Sequence, residues 1–186
     1  MKQFSFTLFP EITTDRLILR QLRTADVAAI YTLRSNEEIN RLITRNIPKN
    51  NDEASDFIAV CHQEFTNKNR VFWAMELKET KQVIGTIVYH NISLEDSYAE
   101  IGYELDPTFH KNGFMSEAMQ AVLDFGIERM ELKTIEAFTH QNNLASITLL
   151  EKNQFVFQAK RRCQHVKNNR IFRRENKQLT SKRVES

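Results

Sequence analysis

Residues 100 to 118 read Glu-Ile-Gly-Tyr-Glu-Leu-Asp-Pro-Thr-Phe-His-Lys-Asn-Gly-Phe-Met-Ser-Glu-Ala. The opening alternates, with Ile101, Tyr103 and Leu105 on one face and Glu100, Gly102 and Glu104 on the other, the period of a half-buried strand. Asp106-Pro107 ends that strand near Leu105, because proline cannot donate to a ladder and biases Asp106 toward extended geometry. Met115, Ala118, Met119, Val122, Leu123 and Met130 then recur at three- and four-residue steps. They predict a helix, with Glu117 in its first turn, where a carboxylate suits the dipole. Between strand and helix lies Phe109-His110-Lys111-Asn112-Gly113-Phe114. A loop feeding a helix N-terminus turns several unpaired N–H groups one way, which suits a phosphate. Gly113 admits a positive φ and close approach of a ligand, and Lys111 adds a cation. The expected cargo is a phosphorylated cofactor, although an ordinary strand-turn-helix connection carries the same local signature. The chain's four glycines, Gly85, Gly102, Gly113 and Gly126, stand too far apart for a P-loop or a dinucleotide fingerprint.

The segment resembles motif A of the GNAT acetyltransferases, in which a Gln/Arg-x-x-Gly-x-Gly/Ala loop holds the pyrophosphate of acetyl-coenzyme A through backbone amides. Its six positions fall here on His110, Lys111, Asn112, Gly113, Phe114 and Met115. Only the central glycine fits the general form, but Met115 followed by Ser116-Glu117-Ala118 is similar to the RimJ/RimL-like branch, the ribosomal-protein-alanine acetyltransferases. Thr14-Asp15-Arg16-Leu17-Ile18-Leu19-Arg20 resembles that branch's opening strand. Asn143 to Phe155 resembles its Asn-x-x-Ser-x-x-x-x-Glu-Lys-x-Gly-Phe signature, with Gln154 in place of the glycine. The three matches follow in order from residue 14 to 155, about three quarters of the chain.

At 186 residues and 41% hydrophobic, the chain is expected to form one domain with a substantial core, residues 14–175, followed by a basic tail at 176–186. The N-terminus mixes polar and apolar residues and offers no export core, and no stretch approaches membrane-spanning length. Cys61 and Cys163 form no Cys-x-x-Cys pair and suggest a reduced, cytoplasmic setting, with Cys61 a core residue on a helix. The five histidines lack zinc-like spacing, so no metal is expected.

Thr24 is a plausible cap for a helix running through Ser35, with Val27, Ile30, Tyr31 and Leu33 inward. A polar stretch, Asn36 to Asn51, leads to a second helix capped by Asn51 or Asp52 and carrying Ala54, Phe57, Ile58, Cys61 and Phe65 at helical steps. Val71–Leu77 and Val83–Ile92 read as a hairpin in which Phe72 and Trp73 pack. Thr134–Thr139 is a further strand and Leu144–Lys152 a short helix, while Phe155–Lys160 and Arg170–Glu175 are candidate last strands. The resulting order, β-α-α-β-β-β-α-β-α-β-β, describes an α/β or α+β mixed sheet, and it is the order of a GNAT acyl-CoA N-acyltransferase fold with a mostly antiparallel twisted sheet.

The formal charge of +2 hides an asymmetry, because residues 160–186 hold ten Lys/Arg and two Glu. Such a run reads first as a solvated hairpin and tail; contact with RNA or a ribosomal surface is the sharper reading. With that contact in charge, the protein would be a ribosome- or RNA-associated binder. A non-catalytic acyl-coenzyme-A-binding module is the other alternative to an enzyme.

The resemblance implies transfer of acetyl from acetyl-coenzyme A to a primary amine. Such an amine is mostly protonated at neutral pH, so a base must take its proton before attack. Glu100 matches the glutamate before Ile/Leu-Gly-Tyr in the RimJ/RimL-like branch and is the first candidate; Glu104, on the same strand face, is the second. By the same analogy, backbone N–H groups near Tyr103 to Leu105 face the oxyanion. The amides from His110 to Ser116 hold pyrophosphate, Asn143 contacts the pantetheine arm and the Ser146 hydroxyl assists the leaving thiolate. Each has a plainer role open to it: the glutamates as surface carboxylates, Asn143 as a helix cap, Ser146 as an exposed hydroxyl. The helical region between residues 24 and 66 is expected to wall the acceptor, whose identity, a protein N-terminus or a small amine, is open, as is the choice between monomer and homodimer. His110 in place of Gln or Arg alters one polar contact. Gln154 must adopt a left-handed conformation at a cost of order 1 kcal/mol.

Overall fold

The computed structural model describes residues 5–159 and 168–176. The expected tail and most of the basic C-terminal segment, Cys163 and the end of the Phe155–Lys160 strand lie outside these residues. Among the described residues, eight strands form one sheet in the order β1-β2-β3-β4-β5-β6-β8-β7: β1 Ile12–Thr13, β2 Leu17–Gln21, β3 Val71–Leu77, β4 Val83–Ser93, β5 Tyr98–Leu105, β6 Thr134–His140, β7 Val156–Phe157 and β8 Asn169–Glu175. All neighbours are antiparallel except β5 and β6. Five helices accompany them: α1 Val27–Ser35, α2 Glu37–Asn40, α3 Asn51–Thr66, α4 Phe114–Glu128 and α5 Leu144–Lys152.

The alternation along the strands decides which helix lies on which face. Leu17, Leu19, Trp73, Met75, Tyr89 and Ile101 turn one way and meet Met115, Ala118, Met119, Val122 and Leu123 of α4. Phe72, Ala74 and Val83 turn the other way, under Ile30 and Leu33 of α1 and Ala54, Ile58 and Cys61 of α3. Trp73 and Phe72 are packing residues, as expected, at 0% and 7% exposure. Burial pushes the Cys61 thiol up to about 11, so it remains an uncharged core group.

Four local expectations are corrected. The cap of α3 is Asn50, whose side chain accepts from the Glu53 amide, one residue earlier than read from the sequence. The polar stretch after α1 contains α2, capped by Asn36 on the Ile39 amide. The first helix opens as a 3-10 turn at Thr24–Asp26, where the Asp26 carboxylate, not a threonine hydroxyl, accepts the Arg23 amide at 2.7 Å. Met130 lies beyond the end of α4 but remains in the core at 4% exposure.

Candidate active site

The pairing of β5 with β6 stops early. It covers Tyr98↔Thr134, Ala99↔Ile135 and Glu100↔Glu136, and nothing beyond. From Ile101 onward β5 stays on β4, while β6 continues to His140 on β8. In an antiparallel ladder alternate residues turn their N–H and C=O to the same neighbour. Asp106 N–H donates to Ile84 O at 2.8 Å. The even-numbered residues of β5 therefore serve β4, and beyond the last bridge to β6 the backbone groups of Tyr103 and Leu105 face the opening between the parted strands.

The α4 terminus approaches that opening. Lys111 and Gly113 take left-handed conformations, φ 62° and 81°, which bend Phe109 to Phe114 into the helix start. Gly113 is the N-cap and has no side chain to offer, so the first-turn amides of Phe114, Met115 and Ser116 lack an intrahelical acceptor. Residues 110–113 are exposed. The loop is held from outside: Glu117 accepts from the Thr14 hydroxyl at 2.5 Å, the Arg16 amide at 2.8 Å and Arg16 Nε at 2.7 Å. Arg16 Nη1 donates to Asn112 O at 2.9 Å, and its guanidinium lies 4.3 Å over the Phe114 ring. Burial opposes the Glu117 charge, but these donors outweigh it and hold the carboxyl below its usual range. The His110 ring turns inward instead of standing free for a ligand, its Nε2 lying 3.1 Å from Leu105 O.

On the α4 and α5 side, the Tyr103 and Ser146 hydroxyls meet at 2.8 Å, a bond that bridges β5 and α5 across the gap. Burial pushes the Tyr103 phenol up to about 12, against the pull of that bond. Ser146 is buried at 9% exposure, not exposed as its plainer reading had it. The Asn143 side chain accepts from the Ser146 amide at 3.1 Å, so it caps α5.

On the α1 and α3 side lies a cavity of about 390 Å³ lined by Arg34, Arg45, Arg70, Phe57, His90 and Glu104, among others. Its floor is Gly102, where a Cβ would stand 3.2 Å from Val88 Cγ1 and 3.7 Å from His90 Nε2. His90 faces Glu100 in register, with Nδ1 3.7 Å from Oε2. Burial lowers the His90 pKa; the Glu100 carboxylate works against this and Arg70 with it, so the ring is neutral at pH 7. Glu100 also accepts from the Tyr98 hydroxyl at 3.2 Å, which reaches Glu136 at the same distance. Glu136 in turn is held by Arg173 at 2.7 Å. Glu104 is differently placed: Arg45 Nη1 at 2.5 Å and Thr86 Oγ1 at 3.1 Å hold its two oxygens.

The candidates therefore divide. Glu100 and Glu104 share the cavity face, Tyr103 and Ser146 share the opposite one, and the loop before α4 touches the end of β5 through His110 and Leu105 O. Arg16, Arg34, Arg45, His90 and Tyr98 were not singled out from the sequence. His90 had a signal, since strand alternation places it on the same face as Val88 and opposite Glu100; the arginines had none beyond their charge.

A family described as acetyltransferase (GNAT) domain matches residues 16–156. The uncharacterized N-acetyltransferase YoaA of Bacillus subtilis is 36% identical over 148 residues, 80% of this chain and 84% of that one. Among solved structures, RimJ of Mycobacterium smegmatis in complex with CoA-disulfide superposes with a TM-score of 0.80 at 16% identity, covering 92% and 90% of the two chains. The ribosomal-protein-S5-alanine acetyltransferase of Vibrio fischeri does so at 0.79 and 16%, covering 90% and 97%. These identities speak for a shared fold.

Proposed function

Because the chain belongs to the GNAT acetyltransferase family and is an acetyl-coenzyme-A-dependent N-acetyltransferase, we propose that it brings acetyl donor and amine together at the gap where β5 leaves β6. The observation that carries this reading is the gap itself: one strand offers backbone donors on one side and a carboxylate-histidine pair beside a cavity on the other. Acetyl-coenzyme A fits these residues. The first-turn amides of α4 and the left-handed loop before it suit its pyrophosphate, and the parted strands leave unpaired peptide groups for the amide-rich arm. When bound, it supplies an acetyl thioester.

Gly113 to Ser116 hold the phosphates, and Arg16 with Glu117 fixes the loop they stand on. Tyr103 and Leu105 turn N–H donors toward the position where the thioester oxygen gains charge. Glu100 takes the proton of the incoming amine through the neutral His90 ring, which lines the cavity between them. Glu104, with its two oxygens tied to Arg45 and Thr86, shapes the cavity. The Ser146 and Tyr103 hydroxyls stand on the opposite side, where they can donate to the leaving thiolate. The acceptor is a primary amine, of a protein N-terminus or of a small molecule.

The test is titration calorimetry with acetyl-coenzyme A, followed by thiol release on a panel of amines and N-terminal peptides. Micromolar binding with release on one acceptor class is expected. A chain that binds no acetyl-coenzyme A would remove the cofactor assignment of Gly113 to Ser116 and everything built on it.

A further inference from the structure

The acceptor cavity contains three guanidinium groups, Arg34, Arg45 and Arg70, and one carboxylate, Glu104. Arg45 is engaged at all three guanidinium nitrogens: Nη1 binds Glu104, Nε donates to Asn40 Oδ1 at 2.7 Å, and Nη2 reaches Leu33 O at 3.5 Å. Arg34 is not. Its Nη1 stands 3.8 Å from Glu104 Oε1, an ion pair beyond hydrogen-bond distance, and its guanidinium carbon lies over the Phe57 ring, 3.8 Å from the centroid. Arg70, just before β3, is near enough to act on both Arg34 and His90. Among the described residues no carboxylate comes within ion-pair distance of Arg70.

An excess of two cations in a partly dehydrated hollow is unfavourable until an anion enters, and a planar guanidinium stacked on an aromatic ring keeps its N–H edge free for a carboxylate or phosphate. Burial lowers the Arg34 pKa, Glu104 counters it, and Arg45 and Arg70 add to it, the behaviour of a cation short of counter-charge. At about 390 Å³ the hollow lies within the roughly 300–1,000 Å³ typical of small-molecule sites, and Phe57, Phe72 and Val88 give it an apolar wall.

We propose that the acceptor is a small amine that also carries an anionic group, a carboxylate or a phosphate, held by Arg34 and Arg70 while its amine faces His90 above Gly102. The inference rests on the acetyl-transfer reading of the same cavity and narrows its substrate class.

The experiment compares matched pairs, phenylalanine against phenethylamine and O-phosphoethanolamine against ethanolamine, by thiol release with acetyl-coenzyme A. The member with the anion should have a kcat/KM about tenfold to a hundredfold higher, the range expected for charge-assisted hydrogen bonds. The better pair tells carboxylate from phosphate. Arg34→Gln and Arg70→Gln should each erase most of that preference and leave acetyl-coenzyme A binding unchanged. Equal or better use of the neutral members, a preference that survives both variants, or faster turnover of N-terminal peptides without acidic residues would overturn the proposal. If no amine releases thiol, calorimetry on the coenzyme-A-loaded enzyme reads the anion site by itself. Saturable binding of phenylalanine or O-phosphoethanolamine, weakened in both variants, would keep the site and remove the transfer reading; no binding would remove the inference.

Discussion

Arg16 and Glu117 meet across 101 residues of chain, Arg16 Nε donating to Glu117 Oε2 at 2.7 Å while the Arg16 amide donates to Oε1 at 2.8 Å. The lead-in to β2 is thereby fixed to the first turn of α4, and Arg16 Nη1 on Asn112 O extends the hold to the loop. The Arg16 side chain is 46% exposed, so its removal should cost under about 1 kcal/mol of stability. Its effect should fall on ligand positioning. Arg16→Ala is expected to raise the KM for acetyl-coenzyme A by about two- to tenfold with kcat nearly unchanged, the mark of lost uniform binding, as read by steady-state kinetics. The Glu117 carboxyl is held below its ordinary value of about 4.3, so its contribution is complete above that pH and is lost as pH falls through the lower folded value. Between pH 5 and 8 it should therefore contribute no change in KM.

Gly126 and Tyr89 form a second pair that should respond to substitution. The Tyr89 phenol donates to Val122 O at 3.0 Å in the core, and a Cβ at Gly126 would stand 2.5 Å from its oxygen and 2.9 Å from Cζ. Gly126→Ala gains about 1 kcal/mol of helix propensity but forces this overlap, and a net loss of about 1–2 kcal/mol is expected. Tyr89→Phe removes one hydrogen bond, worth about 1 kcal/mol, and the shortest of the close contacts, leaving the ring carbons at 2.9 and 3.0 Å. The double variant should be more stable than the sum of the singles by at least about 0.5 kcal/mol in urea denaturation. Strict additivity would show that the tyrosine moves aside freely.

The order of elements could be read from the chain because each long element declares its own period, as with Ile101, Tyr103 and Leu105 against Met115, Ala118 and Met119. The parting of β5 from β6 could not. It depends on whether strands some 30 residues apart remain paired after Glu100↔Glu136, and nothing local to either strand fixes that. The arginines of the acceptor cavity were hidden for a related reason. Arg45 lies in the polar stretch between helices, where charge ordinarily means solvent, yet its side chain is only 12% exposed against Glu104. Glu104 was read as a base or a surface carboxylate, whereas it is buried at 7% exposure and needs a counter-charge, and the sequence does not say from which element that comes. The plainer role open to Asn143, a helix cap, is the one its side chain takes on the Ser146 amide, whereas the turn of the His110 ring to Leu105 O had no sign in the sequence.

Gln154 was legible in full. The glycine it replaces implies a left-handed residue, and its φ is 65°. A glutamine there costs about 1 kcal/mol, less the entropy that glycine adds to the unfolded chain. Gln154→Gly should raise stability by at most about 0.5 kcal/mol in thermal or chemical denaturation, with kcat and KM unchanged. A loss of stability would mean that the glutamine side chain contributes more than its backbone strain costs.

His90 and Glu100 carry the sharpest kinetic expectation. The ring lines the acceptor cavity, and its Nδ1 is 3.7 Å from Glu100 Oε2, so either group alone is an incomplete route for the amine's proton. Glu100→Gln and His90→Gln should each lower kcat by about 10²- to 10⁴-fold at neutral pH, with the KM for acetyl-coenzyme A unchanged. The pH dependence separates a base from a merely structural pair. An α-amine with a pKa of about 8 deprotonates on its own as pH rises, so the need for a protein base fades. The wild-type to variant ratio should be largest near pH 7 and shrink steadily toward pH 9. On the acid side, burial lowers the His90 pKa from the ordinary imidazole value of about 6.5, so its neutral, proton-accepting form persists below that pH. A ratio that stays constant from pH 6 to 9 would remove both residues from the proton path and leave them as parts of the cavity wall.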